Sequence, residues 1–254
     1  MKKSEETMKS FWDEKAAENA LYYVSSYNDY DKQDPAEFWR WGGILADRYL
    51  THSGLQFRGD ETVLDLGCGV GRFLPTFAGR FARVHGMDIS ENMIQQARAN
   101  TGHLTNVELH VGSGTDLRPI ASASLDFVFS YLMFQHVPDP AVVFSYIRDV
   151  SRVLREGGHF YFQVNTSPPP GLRARLRLRS RLSSLAGGGA RKTSADSPGP
   201  TGLTHPAWVG SRIPAGTVRD VCDRAHLTVL SMHDEGTQYT WVLARKSAHV
   251  PGTR

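Results

Sequence analysis

The feature that most constrains this chain is a glycine-rich turn at residues 67–71, in which glycine occupies every second position. The turn follows a mostly apolar segment and precedes a predicted helix, and a second apolar segment ends in Asp88, 17 residues after Gly71. Glycine lets a backbone approach a ligand closely, and an acid at the end of the second strand accepts both hydroxyls of a ribose. The pattern predicts a β-α-β unit that binds a nucleotide or a nucleoside.

The spacing of the glycines narrows the choice of ligand. A dinucleotide fingerprint reads G-x-G-x-x-G/A and holds a pyrophosphate on a helix N-terminus, whereas here the third glycine comes one residue earlier and Arg72 takes its place. Asp65 precedes the turn by two residues, and a carboxylate there attracts an ammonium group but repels a pyrophosphate. This favours a nucleoside that carries a positive group, and S-adenosylmethionine, with its ribose, amino group and sulfonium, fits.

With these residues the chain resembles the class I S-adenosylmethionine-dependent methyltransferases, in particular the small-molecule, type 11-like branch. The resemblance covers residues 59–165 well and 213–246 more loosely. Beyond the glycine turn and Asp88 it rests on four further blocks in the expected order, at 111–117, 125–130, 135–140 and 153–160.

Alternation of short apolar segments with helical patterns predicts an α/β fold with a doubly wound, mainly parallel, seven-stranded Rossmann-like sheet. The short connection at 234–237 permits only an antiparallel pair of final strands, so the sheet is expected to end in an antiparallel hairpin. Strands are predicted near 61–66, 83–88, 106–111, 125–130, 158–165, 227–233 and 238–245. Helices are predicted near 71–80, 91–101, 140–154 and 214–225, and a further helix from Asp34-Pro35 to about Leu50.

Five regions are expected along the chain. Residues 1–58 form an N-terminal helical extension or lid, 59–165 the cofactor-binding core, 166–212 a flexible basic insertion that caps the substrate, 213–247 the C-terminal part of the core and 248–254 a tail. The insertion contains a proline run, a glycine run and one short predicted helix near 172–186.

The composition limits which classes of protein this chain can belong to. The chain of 254 residues has only two cysteines, far apart, so no disulfide framework is predicted and Cys68 is interpreted as a packing residue. No apolar run is long enough to cross a membrane and the charged N-terminus does not resemble a signal region, so we expect a cytoplasmic protein with no membrane partner. Seven positive charges lie between Leu172 and Lys192, which leaves the rest of the chain at −4 out of a net +3.

The resemblance assigns a cofactor site at the carboxyl ends of the strands, for S-adenosyl-L-methionine and its product S-adenosyl-L-homocysteine. The glycine turn holds the amino-acid part of the cofactor, Asp88 holds the ribose, and Ile89 and Met93 flank the adenine. An N-cap role in the following helix is the alternative for Asp88. The predicted cofactor residues are Asp65, Gly67, Gly69, Gly71, Asp88, Ile89, Met93, Ser113, Gly114, Ser130 and Tyr131.

One position departs from the family pattern. Relatives usually carry Gly-Asp-Ala at 112–114, where the aspartate receives the adenine amino group, but this chain has Ser113 in place of the acid and Asp116 three residues later. Adenine recognition then falls to the Ser113 hydroxyl, to a backbone group near Gly114, or to Asp116. Asp116 is equally well interpreted as a solvated turn residue.

Methyl transfer also needs a route for the acceptor's proton. His136, just after the fourth strand, is the candidate base because an unperturbed imidazole titrates near neutral pH; the alternative is that it only orients its loop. The aromatic N-terminal stretch contributes Tyr22 as a lid residue at the acceptor, and Gln135, Gln163 and Asn165 are the other predicted acceptor-binding residues. The remaining histidines show no spacing with carboxylates or cysteines, so no metal site is predicted.

The arginine stretch has three interpretations: a solvated face of a lid helix, recognition of an acidic or carrier-protein-bound substrate, and nucleic acid binding, the least favoured because the rest of the chain is net acidic. The resemblance implies a methyltransferase for a small molecule, with O-methylation of a secondary metabolite or a sugar-bearing compound as the expected reaction. N- or C-methylation, a non-methylating cyclase-type reaction, and protein or RNA methylation remain alternatives.

Overall fold

The computed structural model describes residues 2–25, 30–32, 34–169 and 200–248, with the backbone alone at 2–5. The arginine stretch, with its predicted helix near 172–186, and the tail beyond residue 248 lie outside the described residues. None of the described helices has the length and apolarity needed to span a membrane.

A seven-stranded sheet forms the centre of the molecule, in the order β3-β2-β1-β4-β5-β7-β6. The first five strands are mutually parallel, while β7 runs antiparallel to both β5 and β6. The predicted fold class, a doubly wound Rossmann-like sheet ending in an antiparallel hairpin, is therefore confirmed. The strands are β1 (Thr62–Leu66), β2 (Arg83–Asp88), β3 (Val107–Val111), β4 (Leu125–Ser130), β5 (Leu154–Val164), β6 (Leu227–His233) and β7 (Thr240–Lys246).

Seven described α-helices surround or precede the sheet: α1 (Lys2–Ser25), α2 (Pro35–His52), α3 (Leu74–Ala78), α4 (Glu91–Thr101), α5 (Pro140–Val153), α6 (Pro206–Val209) and α7 (Ala215–Arg224). The α1 helix is kinked at Asn19. Asp34 caps α2 as predicted, since its side chain accepts hydrogen bonds from the N–H groups of Ala36 and Glu37. A short 3₁₀ turn, Phe134–His136, follows β4.

Two elements differ in extent from the prediction. The helix expected at 71–80 is shortened to α3 because a turn with Gly71 at φ +87° occupies its first residues. Strand β5 starts at Leu154 rather than near residue 158, because Leu154 already pairs with Leu125 of β4.

The apolar core lies on both faces of the sheet. On one face Val63 and Phe129 pack with Leu50 of α2 and Phe77 of α3. On the other, residues such as Leu64 pack with α5, α7 and the first turns of α1. The carboxyl ends of β1, β2 and β4 lie together at one edge of the sheet. The strand order reverses there, between β1 and β4. Ligands bind at this point in open α/β sheets.

Candidate cofactor and acceptor site

A single continuous cavity opens at that edge. Helix α1 covers it with Met8, Trp12, Tyr23 and Val24, and the sheet edge forms its floor. The predicted site residues that line it are Asp65, Gly67, Gly69, Asp88, Ile89, Met93, Gly114, Tyr131 and His136.

The glycine turn has the backbone conformation that requires glycine. Gly67, Gly69 and Gly71 have φ values of +82°, +54° and +87°, a region that side-chain-bearing residues rarely adopt. A Cβ on Gly67 would lie 2.5 Å from the Cβ of Met133, and one on Gly69 would lie 2.9 Å from Val24. The backbone of the turn therefore lies directly against the covering side chains.

Asp65 and Arg72 provide opposite charges next to the turn. Both are buried, with 2% and 5% of their surface exposed. Burial raises the pKa of Asp65 to about 7, although the nearby Arg72 guanidinium opposes the shift. The guanidinium lies over the rings of Phe73 (4.8 Å) and Tyr131 (5.6 Å). A buried carboxylate beside a buried guanidinium complements the ammonium and carboxylate of an amino acid.

Asp88 joins the end of β2 to the glycine turn. Its Oδ2 accepts a hydrogen bond from the N–H of Gly69 (2.9 Å), and its Oδ1 accepts one from the N–H of Ser90 (2.9 Å). Burial raises the pKa of this carboxyl group. The N-cap of α4 is Ser90, whose hydroxyl accepts a hydrogen bond from the N–H of Met93. Asp88 therefore does not cap this helix, which was the alternative interpretation of its role. Each carboxylate oxygen retains a second lone pair for a ribose hydroxyl.

The departure at residue 113 has a local explanation. The Ser113 hydroxyl is exposed and accepts hydrogen bonds from the N–H groups of Thr115 and Asp116, so it orders its own loop. Asp116 pairs with Arg118 at 2.8 Å. Among the described residues that line the cavity, Gly114 is present but the side chains of Ser113 and Asp116 are not.

The two residues predicted after β4 differ in position. Ser130 is fully buried, and its hydroxyl donates to the carbonyl oxygen of Leu66 at 2.8 Å, so it holds the ends of β1 and β4 together below the cavity. Tyr131 lines the cavity and stacks on Trp241 of β7 at 5.9 Å between ring centroids.

His136 lies in the cavity wall with a defined tautomer. Its Nδ1 lies 2.7 Å from the carbonyl oxygen of Trp208, and because a carbonyl oxygen only accepts, Nδ1 carries the proton and Nε2 carries the lone pair. Burial lowers the pKa of the imidazole to about 4. Trp12 contacts the ring edge-on at 5.4 Å. The histidine is thus a neutral hydrogen-bond acceptor at Nε2.

The predicted acceptor-binding residues are only partly brought together. Gln135 lies next to the site, with its Nε2 3.4 Å from Nε2 of His136. Tyr22 packs against Tyr23 and Tyr30, and the next residue, Tyr23, lines the cavity in its place.

Gln163 lies near the end of β5 and Asn165 directly after it. Neither is among the described residues that line the cavity. Both are buried. Asn165 Oδ1 accepts from the backbone N–H and hydroxyl of Ser167, which accounts for its position without a ligand. Gln163 opposes Trp241 in the strand register, and its Oε1 has no hydrogen-bond partner among the described residues.

A cap of two chain segments, helix α1 and residues 200–210, covers the cavity. Lys15 of α1, 1% exposed, contacts Glu18 and Thr201 at 2.5 Å each. Glu18 also accepts from the hydroxyl groups of Tyr23 (2.6 Å) and Tyr30 (2.7 Å). These bonds hold the pKa of Glu18 well below its usual range, against a desolvation that would raise it. The cap is thereby fastened by a charged network beside the cavity.

Several residues that line the cavity were not among the predicted site residues, including Trp12, Arg72 and Met133. Arg72 was identifiable as the residue that replaces the third dinucleotide glycine. Trp12 and Met133 have no such marker, because their place depends on how α1 crosses the loop after β4.

Comparison with known proteins identifies the class of domain that has this fold. The fold and the site define a class I S-adenosylmethionine-dependent methyltransferase domain. Residues 64–162, less than half of the chain, match the family model described as "Methyltransferase domain". The match confirms the resemblance and the predicted cofactor, S-adenosylmethionine.

Individual relatives match over part of their length. An uncharacterized 37.1 kDa protein in transposon TN4556 of Streptomyces fradiae is 41% identical over 107 residues, which cover 41% of this chain and 30% of that protein. A ubiquinone biosynthesis O-methyltransferase of Nitrosomonas europaea is 34% identical over 118 residues, or 43% of this chain and 46% of that enzyme. The chain therefore spans less than half the length of these curated relatives.

Among solved structures, geranyl diphosphate C-methyltransferase from Streptomyces coelicolor A3(2), in complex with Mg²⁺, geranyl diphosphate and S-adenosyl-L-homocysteine, superposes with a TM-score of 0.62. The likeness covers 96% of this chain and 97% of that one at 14% identity, which establishes a shared fold.

Proposed function

We propose that this chain transfers a methyl group from S-adenosylmethionine to a hydroxyl group of a small, mainly apolar acceptor. The observation that carries the proposal is the state of His136. Its proton is committed to the Trp208 carbonyl oxygen. Nε2 therefore carries a lone pair in the cavity wall, where the Gln135 amide nitrogen lies 3.4 Å from it. A hydroxyl donates to such a nitrogen and keeps an oxygen lone pair for attack.

Methyl transfer is an in-line displacement, and the protein contributes mainly positioning. The cofactor supplies an electrophilic methyl group on its sulfonium. Asp65 and Arg72 bind the charged amino-acid end, and Asp88 binds the ribose hydroxyls. Ile89 and Gly114 enclose the adenine, so the methyl group is directed along the cavity toward the acceptor.

The part of the cavity wall that lies outside the proposed cofactor-binding residues is apolar. It consists of Met8, Trp12, Met133, Val137 and Tyr146, with His136 among them. A polar acceptor would lose its hydration here without replacement hydrogen bonds. This supports an acceptor with a hydrocarbon or aromatic body and one hydroxyl directed to Nε2.

The low pKa of His136 also limits the acceptor. An imidazole with a pKa of about 4 is a weak base, so proton transfer from an alkanol of ordinary acidity is strongly uphill. A phenol loses its proton more readily than an alkanol, and Nε2 takes up that proton as the oxygen–methyl bond forms and the sulfur–methyl bond of the cofactor breaks. Acidic hydroxyls are therefore the acceptors we favour, in keeping with the O-methyltransferase activity named for the Nitrosomonas europaea relative.

The arginine stretch supports a further proposal, that the acceptor carries an acidic group or is bound to an acidic carrier protein. The stretch precedes the cap in sequence, since Lys192 lies nine residues before Thr201, whose hydroxyl donates to Glu18 of α1. An anionic tail outside the cavity, on an otherwise apolar acceptor, is compatible with both features.

The test is a transfer assay with methyl-labelled S-adenosylmethionine, the purified chain and matched acceptor pairs: phenols and their methyl ethers, carboxylic acids and their amides, and amines of the same skeleton. We expect label only in the acceptors with a free acidic hydroxyl, and a large loss of it in His136→Asn. His103→Asn, an exposed histidine, is the matched control. Label on carbon or nitrogen alone, or rearranged unlabelled products in the presence of bound cofactor, would contradict O-methylation.

A further inference from the structure

A second cluster of ligating side chains lies on the opposite side of β2 from the core packing of Val84. His85 of β2 and His110 of β3 place Nδ1 and Nε2 3.1 Å apart. Glu108, two residues before His110 on the same face of β3, places its two oxygens 3.7 Å from these nitrogens. Two imidazole nitrogens and a carboxylate thus converge within 4.8 Å of one another.

We infer that His85, Glu108 and His110 form a binding site for a divalent transition-metal ion, with Zn²⁺ as the representative ligand. Nitrogen ligands lie about 2.0–2.1 Å from zinc, so two on one tetrahedral or octahedral ion are about 2.9–3.4 Å apart. The observed 3.1 Å separation falls within that range. It is also the length of an N–H···N hydrogen bond between the two rings, and a bound ion would displace the proton of that bond.

The third ligand can complete the site without a backbone change. The Glu108 side chain is 61% exposed, whereas each histidine side chain is 12% exposed. The imidazoles are therefore held by packing, with their rings stacked at 5.3 Å, while the carboxylate is free to close the remaining few tenths of an ångström. Water would fill the other coordination positions.

The ligand types select the metal. Imidazole nitrogen suits zinc, copper and nickel, whereas magnesium and calcium prefer oxygen-only sites. Glu108 supplies the negative charge, and it is needed because the exposed arginines Arg83 and Arg98 act on the two histidines electrostatically. A site of two histidines and a carboxylate is therefore expected to bind Zn²⁺ and not Mg²⁺.

This finding corrects the sequence-based expectation that the histidines lack ligand spacing. Residues 108 and 110 are two apart and share one face of a strand, and the parallel register places His85 opposite Glu108. The ligands come from neighbouring strands 23 residues apart, so no short motif marks them.

The metal site is separate from the methyl-transfer site. None of the three side chains lines the cofactor cavity in the described part of the chain. An ion would instead link β2 to β3, three residues before Asp88 and three before Ser113. Its binding can thus be measured independently of the cofactor and of any acceptor.

The experiment is calorimetric titration of the tag-free, metal-stripped full chain with ZnCl₂, and separately with MgCl₂, followed by thermal unfolding with and without zinc. We expect one saturable zinc site per chain, no heat from magnesium, and a higher melting temperature with zinc because the ion binds the folded chain. His110→Ala and Glu108→Gln should each weaken zinc binding about tenfold or more, and His103→Ala should not.

If His110→Ala unfolds, Glu108→Gln still tests the proposal. The Glu108 side chain is exposed, and glutamine has nearly the same shape as glutamate. S-adenosylhomocysteine affinity measured in the same variants should be unchanged, which shows that they fold. Absence of a saturable zinc site, or equal zinc affinity in Glu108→Gln, His110→Ala and His103→Ala, would overturn the inference.

Discussion

Nδ1 of His136 lies 2.7 Å from the carbonyl oxygen of Trp208, a residue 72 positions later in the chain. The contact joins the loop after β4 to α6, and Trp208 in turn packs against Trp12 at 6.2 Å. The proton arrangement of the candidate catalytic histidine is therefore fixed by its contact with the cap. Site chemistry and cap position are linked through one hydrogen bond.

The first prediction concerns the pH dependence of turnover. Because the pKa of His136 is about 4, the imidazole is neutral throughout the range where an ordinary histidine titrates, about pH 5–8. We expect kcat/KM to show no inflection from His136 in that range, once the acceptor's own ionisation is accounted for. An inflection near pH 6.5 that disappears in His136→Gln would contradict the neutral-acceptor role.

Two substitutions separate the roles of the two ring nitrogens. His136→Asn places an amide N–H near Nδ1 and keeps the bond to Trp208 but removes the acceptor at Nε2. His136→Gln restores an acceptor near Nε2. We expect His136→Asn to lower kcat by about 10²–10⁴, the usual contribution of a positioned proton acceptor, with unchanged cofactor affinity. If His136 only orients the loop, His136→Asn should retain most of the activity.

A second prediction tests how the ribose and the adenine are recognised. Asp88→Ala removes the carboxylate that faces the glycine turn, and we expect cofactor affinity to fall by about 1.5–3 kcal/mol, the value of a charge-assisted hydrogen bond. Isothermal titration with S-adenosylhomocysteine measures it. Asp116→Ala is the matched control, since this carboxylate pairs with Arg118. A comparable loss in Asp116→Ala would instead support its role at the adenine.

A third prediction follows from the pKa of Asp65, which burial raises to about 7. The cofactor's ammonium is favoured by the ionised carboxylate, so binding is coupled to loss of a proton below pH 7. Cofactor affinity is expected to rise as the pH increases from about 5.5 to 7, by at most about tenfold per pH unit, and then to level off. Asp65→Asn should bind more weakly and without this slope, whereas the exposed Asp60→Asn should keep it.

Residues whose position follows from the local backbone conformation were predicted from the sequence. Residues placed by contacts with distant parts of the chain were not. The glycine turn, Asp65 and Asp88 were identifiable because strand ends and positive φ values place them at one edge of the sheet. The mainly parallel sheet was predicted from the alternation of strands and helices, and its final antiparallel hairpin from the short connection at 234–237.

Residues that depend on distant packing were not predictable in this way. Tyr22 and Tyr23 are neighbours in one helix, and only the kink at Asn19 and the crossing of α1 decide which ring faces the cavity. Likewise, the Trp208 carbonyl that sets the tautomer of His136 comes from a segment with no regular pattern. The cluster of His85, Glu108 and His110 needs the register of two strands before it becomes visible.

The last prediction concerns the network that fastens the cap. Glu18 has a pKa well below its usual range in the folded chain, so its stabilising contribution is present above the unfolded pKa of about 4.5 and is lost as the pH falls below it. Glu18→Gln should lower stability at pH 7 by about 1–3 kcal/mol, or a few degrees in Tm, and reduce the loss of stability in acid. Glu14→Gln is the matched control, since Glu14 also pairs with Lys15, at 2.9 Å, but is 68% exposed, and such pairs contribute little. The measurement is thermal unfolding of both variants at pH 7 and pH 4; equal effects of the two substitutions would show that the network does not fasten the cap.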